Sequence, residues 1–229
     1  ARIIAKTDGG KVLVNGQGTF HADALDTWLG AEMARELSGQ SEWKGELLLG
    51  KSTKRLKFES NLVGLGSRLP SPLRKAAARP SQLVFEQQSM EGGTRWSSIK
   101  YANTASAVWT TRSTPAGHKL DRGELRFGGD ARLPAEPGLQ ISGYVNAFDL
   151  GGWVDVLPDD RGEQQPVNIS GINLTLSSLY FLNRRFSDIT VNAKLRGNLL
   201  RASVNGKEFA GNLTYRRSGE GPSRLSGQF

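Results

Sequence analysis

Between Phe186 and Arg216 the chain changes from apolar to polar at nearly every step, and this period of two constrains what the whole can become. Ile189, Val191, Ala193 and Leu195 alternate with Thr190, Asn192, Lys194 and Arg196. After Gly197-Asn198 the pattern restarts as Leu200, Ala202 and Val204 against Arg201 and Ser203. Asn205-Gly206 matches the pair of positive-φ positions of a type I′ hairpin, and Phe209, Gly211, Leu213 and Tyr215 follow on one predicted face. The reading is a three-stranded antiparallel meander with one apolar side. A sheet of such units must cover that side, close on itself, or offer it to a ligand.

The same unit recurs upstream. Residues 2 to 20 predict a hairpin about Asp8-Gly9-Gly10, and residues 42 to 62 another about a polar turn at Gly50 to Thr53. Further strand signals fall at 83–86, 96–101, 105–110, 124–127, 139–147 and 167–176. One amphipathic helix is expected near 23–38, capped by Asp23, with Leu25, Trp28, Leu29, Met33 and Leu37 at helical spacing until Gly39. Its acidic Glu32 and Glu36 favour packing on the sheet, or plugging its open end, over lying on a membrane. A short helix is expected near 149–157, capped by Asp149 and ending before Pro158, with a polar loop at 159–165. Leu69-Pro70-Ser71-Pro72-Leu73 must be extended, because a residue before proline avoids the α region. The fold class is therefore all-β, mainly antiparallel meanders, forming a curled open sheet or groove. Nothing marks an internal boundary, so residues 1–229 are taken as a single continuous segment.

Composition agrees. Mean hydropathy is −0.41 although strand signals are many, as expected when every second side chain is wet. Without cysteine there is no disulfide framework, thiolate nucleophile or Cys-based metal site. No apolar run approaches the ~18 residues of a membrane span. The chain opens as Ala1-Arg2-Ile3-Ile4, already strand-like, and reads as a piece of something longer whose anchor lies outside it. The net charge of +8 suits a solvated basic face, an anionic lipid surface or nucleic acid, and the cations are too dispersed to choose by charge alone.

The search for chemistry comes back empty. His21 and His118 lack ligand patterns, no nucleophile elbow appears, and Gly16-Gln17-Gly18 lacks the rest of a dinucleotide loop. Asp155, Asp159, Asp160 and Glu163 lack the spacing of an EF-hand, so neither a metal nor a cofactor is expected. Asn168-Ile169-Ser170, Asn173-Leu174-Thr175 and Asn212-Leu213-Thr214 match glycosylation sequons, as wet strand faces often do. The five tryptophans sit in apolar rows and read as core.

Three stretches carry a resemblance. Ser60, Leu62, Gly64 and Leu65 run into Leu69, Pro70, Pro72, Leu73, Lys75 and Ala76. Leu133-Pro134, Gly138-Leu139 and Ile141-Ser142-Gly143 lead to Phe148-Asp149-Leu150 and Trp153, with Phe148 where leucine is expected. The Asn192 to Arg217 meander follows. In this order they resemble the C-terminal half of YhdP-type proteins of the AsmA-like superfamily. That resemblance implies a repeating β-groove, periplasmic and anchored to the inner membrane by other regions, that moves phospholipid toward the outer membrane. It implies no catalytic residue, nucleic acid partner or required homo-oligomer, and its motif positions here are Leu69, Pro70, Pro72, Gly143 and Trp153. The residues expected to line the groove are Ile189, Val191, Ala193, Leu195, Leu200, Ala202, Val204, Phe209 and Leu213. The competing expectation is a closed β-sandwich or barrel serving as an interaction or scaffold module.

Overall fold

The computed structural model describes residues 1–51, 53–115, 117–156, 168–196, 199–216 and 224–228. Its strands are β1 (Arg2–Asp8), β2 (Lys11–His21), β3 (Leu37–Leu49), β4 (Lys54–Ser60), β5 (Leu65–Ser67), β6 (Leu83–Ser89), β7 (Thr94–Tyr101) and β8 (Ala105–Thr114). There follow β9 (Gly117–Phe127), β10 (Gly138–Asp149), β11 (Ile169–Phe181), β12 (Arg184–Arg196), β13 (Leu199–Asn205), β14 (Ala210–Arg216) and β15 (Arg224–Gln228). All but β5 lie side by side in chain order in one sheet, with β5 paired to β3 off the main path. The path starts at β1 and ends at β15 without closing, so the described sheet is the open one expected, a choice that alternation alone left open. The accessible surface is 15487 Å². A compact monomer of this mass would expose only about 10,200 Å².

Most neighbours are antiparallel, but β10 runs parallel to both β9 and β11. Alternation carries no record of strand direction, so this central joint was not expected. A parallel step cannot be made by a hairpin; the chain must travel back along the sheet first. Residues 128–137 make that return over the polar face. Ser106 Oγ donates to the Gly129 carbonyl and accepts from Ala131 N–H, both at 2.7 Å. The buried Glu124 carboxylate accepts from Arg132 N–H at 2.6 Å and from Ser142 Oγ at 2.5 Å. Arg122 holds the Ala135 carbonyl. Gly143, at φ +109, lets β10 approach β9 so closely that a Cβ there would stand 2.0 Å from the Phe127 carbonyl oxygen.

The helical expectations are refined. Between β2 and β3 the chain forms a 3-10 turn at Ala22–Leu25, α1 at Asp26–Leu29 and α2 at Ala31–Ala34, interrupted by Gly30 at φ +82. Asp23 lies inside the first turn and caps nothing, Leu37 already begins β3, and Gly39 is a strand residue. Gly39 is required there because any Cβ would lie 2.2 Å from the Gly64 carbonyl oxygen. The later helix, α3 (Leu150–Val156), is capped as expected, with Gly152 N–H donating to Asp149 Oδ1 at 3.0 Å. Leu157, the acidic loop at 159–165 and the Gly197-Asn198 turn lie outside the described residues.

Turn chemistry was legible at one hairpin and misleading at another. Asp8 pairs with Lys11 around Gly9 and Gly10, both at positive φ, which makes the tight turn. Asn205 instead pairs with Ala210, and Gly206 N–H donates to the Phe209 carbonyl at 2.8 Å, giving a four-residue loop in place of the type I′ turn. Glycine at 206 serves packing in this loop, since the Ile189 Cδ1 would lie 2.2 Å from a Cβ there.

Candidate functional site

Directly opposed residues share a face of a sheet, and the register links one row across thirteen strands. From β1 to β14 it runs Ile3, Gly16, Gly45, Phe58, Phe85, Ile99, Ala107, Leu125, Ile141, Ile172, Ala193, Ala202, Leu213. Every member is apolar or glycine. The next row of the opposite face runs Ile4, Asn15, Glu46, Lys57, Glu86, Ser98, Val108, Glu124, Gln140, Gly171, Lys194, Arg201, Thr214. Apart from Gly171, only Ile4, exposed on the edge strand, and the buried Val108 are apolar there. Along β2 the apolar-face positions are half-buried and those between them, Leu13 apart, are exposed. A sealed core would bury the apolar row, whereas here it is sheltered without being covered.

Packing is concentrated toward one rim. Ala22, Leu62 and Leu65 form a cluster joined by Phe20, Leu37 and Tyr101, and Val145, Leu176 and Ile189 form a second joined by Phe127, Phe148, Phe186 and Phe209. Between them, the loop leaving β4 reaches α3. Trp153 Nε1–H donates to the Ser71 carbonyl at 2.9 Å, and Phe148 stacks on Trp153 with ring centroids 6.5 Å apart. Pro70 abuts Gly152, where a Cβ would meet its Cγ at 2.9 Å, and Leu69 is buried. The contact joins elements five strand spacings apart in the sheet, about 24 Å if it were flat. The sheet curls, and this strap ties its packed rim.

Lys75 holds the strap loop together. It is 6% exposed, and its Nζ donates to the carbonyls of Leu62 and Leu65, both at 2.6 Å, and of Ala76 at 3.2 Å. Burial lowers its pKa below the ordinary lysine value, and the nearby Arg79 adds to the effect. The motif pointed to this position, but no neighbouring residue marked it as buried.

The expected groove residues divide in two. Val191, Leu195, Leu200, Ala202, Val204 and Leu213 are half-buried on the apolar face, with Val191 opposite Val204, Leu195 opposite Leu200 and Ala202 opposite Leu213, and Val191 and Val204 also pack against the Val145, Leu176 and Ile189 cluster. Ala193 shares that face and is buried. Ile189 is fully buried in the packed rim, and Phe209 stands off the strands in its loop, edge-on to Phe186 at 5.3 Å. Of the motif residues, Leu69, Pro70, Pro72 and Trp153 belong to the strap and its partner helix, while Gly143 serves the parallel joint. On the polar face, behind the C-terminal half of the strip, lies a concavity of about 1180 Å³, bounded by Glu136 and Pro137 of the return segment and lined by Gln140, Asn192, Lys194 and Arg201.

Among the described residues no group of His, Cys, Asp or Glu is arranged to hold a metal ion, and no helix is long and apolar enough to cross a membrane. Neither the curated proteins nor the solved structures compared with the chain match it. The family model described as YhdP protein matches residues 1–229. With that match along the whole sequence and an open, all-β sheet beneath it, the chain belongs to the YhdP family of AsmA-like envelope proteins.

Proposed function

We propose that this chain is a non-enzymatic, lipid-carrying segment of a periplasmic protein anchored to the inner membrane by regions outside it, and that phospholipid passes along its apolar face toward the outer membrane. The observation that carries this reading is the unbroken apolar row from Ile3 to Leu213, mostly half-sheltered and without a second layer among the described residues. Across twelve strand spacings such a row is about 58 Å long. It solvates acyl chains at ~25 cal/mol per Å² of apolar area removed from water and needs no specific hydrogen bond to do so. A fluid ligand that must slide suits a uniform lining better than a pocket of fixed donors. A scaffold role for a closed sandwich loses its basis, since the sheet is open.

The test is native mass spectrometry of the delipidated protein after exposure to phospholipid vesicles. Retained phospholipid is the expected result. A protein that comes through lipid-free, with its fold intact by circular dichroism, would sink the proposal.

A further inference from the structure

The two long edges of the curled sheet differ. Both packed clusters and the strap lie along one. The other is made by the short connections β1 to β2, β3 to β4 and β8 to β9, among others. Along this second rim stand Lys11, Lys51, Lys54, Lys119, Lys194 and Arg201, all exposed. None forms an ion pair with a described carboxylate. The nearby Glu86 is already paired with Arg55 at 3.6 Å, and Asp121 with Arg112 at 3.1 Å and Arg122 at 3.0 Å. Asp8 ends β1 opposite Lys11, Glu91 sits in the connection from β6 to β7, and Glu136 lies across the neighbouring concavity.

Lys194 and Arg201 make the arrangement pointed. They are direct cross-strand partners, flanked in their row by Gly171 and Thr214. Like charges so placed repel, and no described carboxylate relieves them. The same concavity presents the amides of Asn192 and Asn212 and the hydroxyl of Ser203. One position further along these strands, on the other face, Leu195 opposite Leu200 ends the apolar strip. Cations and apolar lining therefore meet at one edge over ten strand spacings, from β2 to β13, about 48 Å.

We propose that this rim is a phosphate ledge. It holds the anionic headgroups of lipids whose acyl chains lie on the strip, so that the headgroups travel along one defined side of the sheet. The proposal rests on the lipid-carrying reading above and adds to it a side and a charge preference.

The test offers the delipidated chain equal amounts of dioleoylphosphatidylglycerol and dioleoylphosphatidylcholine in mixed vesicles and quantifies retained lipid by native mass spectrometry. The unaltered chain is expected to favour the anionic lipid by about tenfold at low salt, the preference shrinking as salt rises. A variant combining Lys11→Glu, Lys54→Glu, Lys194→Glu and Arg201→Glu should lose that preference, retain phosphatidylcholine as before and melt within a few degrees of the parent. Glutamine at the same four positions should fall between. An undiminished anionic preference in the glutamate variant overturns the ledge while leaving the strip standing. Retention of neither lipid by the unaltered chain overturns both.

Discussion

At the scale of single residues, half-burial and full burial of similar side chains make opposite predictions. Val191 and Ala202 are half-buried on the strip, Val191 at the margin of the Ile189 cluster and Ala202 clear of it, so Ala202→Asp, and less freely Val191→Asp, leaves the new carboxylate in reach of water. Each should block lipid crosslinking and cost no more than about 2 kcal/mol, with Asn192→Asp on the opposite face as the silent control. Ile189 is 0% exposed. Ile189→Asp should cost about 4 kcal/mol or prevent folding, because the charge is buried unpaired. Paired melting and crosslinking measurements separate the two classes; equal collapse of melting at Val191 and Ile189 would make the whole row core. Lys75 makes a pH prediction. Its folded pKa is lowered by burial, so the unfolded chain binds the proton more tightly. Stability attributable to it should therefore rise as pH climbs from the folded value toward the unfolded value of about 10.5 and level off above it. Chemical denaturation across that window should show the rise in the native chain and its loss in Lys75→Met. The sequence could place Val191 and Ile189 on one face because a period of two is local information. It could not distinguish them by depth, since depth at Ile189 comes from Val145, Leu176 and the loop at Gly206, none of them its neighbour in the chain.

At the scale of elements, the parallel joint and the strap each hang on one residue. Gly143→Ala would put a methyl group against the Phe127 carbonyl at a backbone angle unfavourable for any side chain. It should cost more than about 3 kcal/mol, or shift the register of β9 and β10, visible as lost amide protection in both strands. Trp153→Phe keeps a ring on Phe148 and removes the donor to Ser71, so a loss of about 1 kcal/mol in melting is expected. Strands and α3 were legible because periodicity, a cap and a breaker all act within a few residues. The long helix was overestimated because Gly30 lies inside a run whose spacing alone looks helical, and Asn205-Gly206 reads as a two-residue turn where the chain forms a four-residue loop. The strap's contact with α3 joins residues 82 positions apart and left no local trace.

At the scale of the whole molecule, the center should be the last part to open. From β8 to β11 the sheet carries the return segment and its bonds to Ser106, Arg122 and Glu124 as well as the strand pairing, whereas β1 and β15 are each held from one side only. Native-state hydrogen exchange should be slowest through β8 to β11 and progressively faster toward both edges; uniform protection would contradict this. The parallel steps there come as a pair, and the parity matters. Each antiparallel step reverses the chain's heading, and a same-direction step omits one reversal. A single omission would leave every later strand upside down relative to the first half. The turns of the C-terminal meander would then fall among the packed clusters, and its arginines would face away from the lysines of β2 and β4. Two omissions cancel. The sheet can change its connectivity midway and still present one unswitched edge from its first hairpin to its last, so a molecule following that edge meets no crossing point.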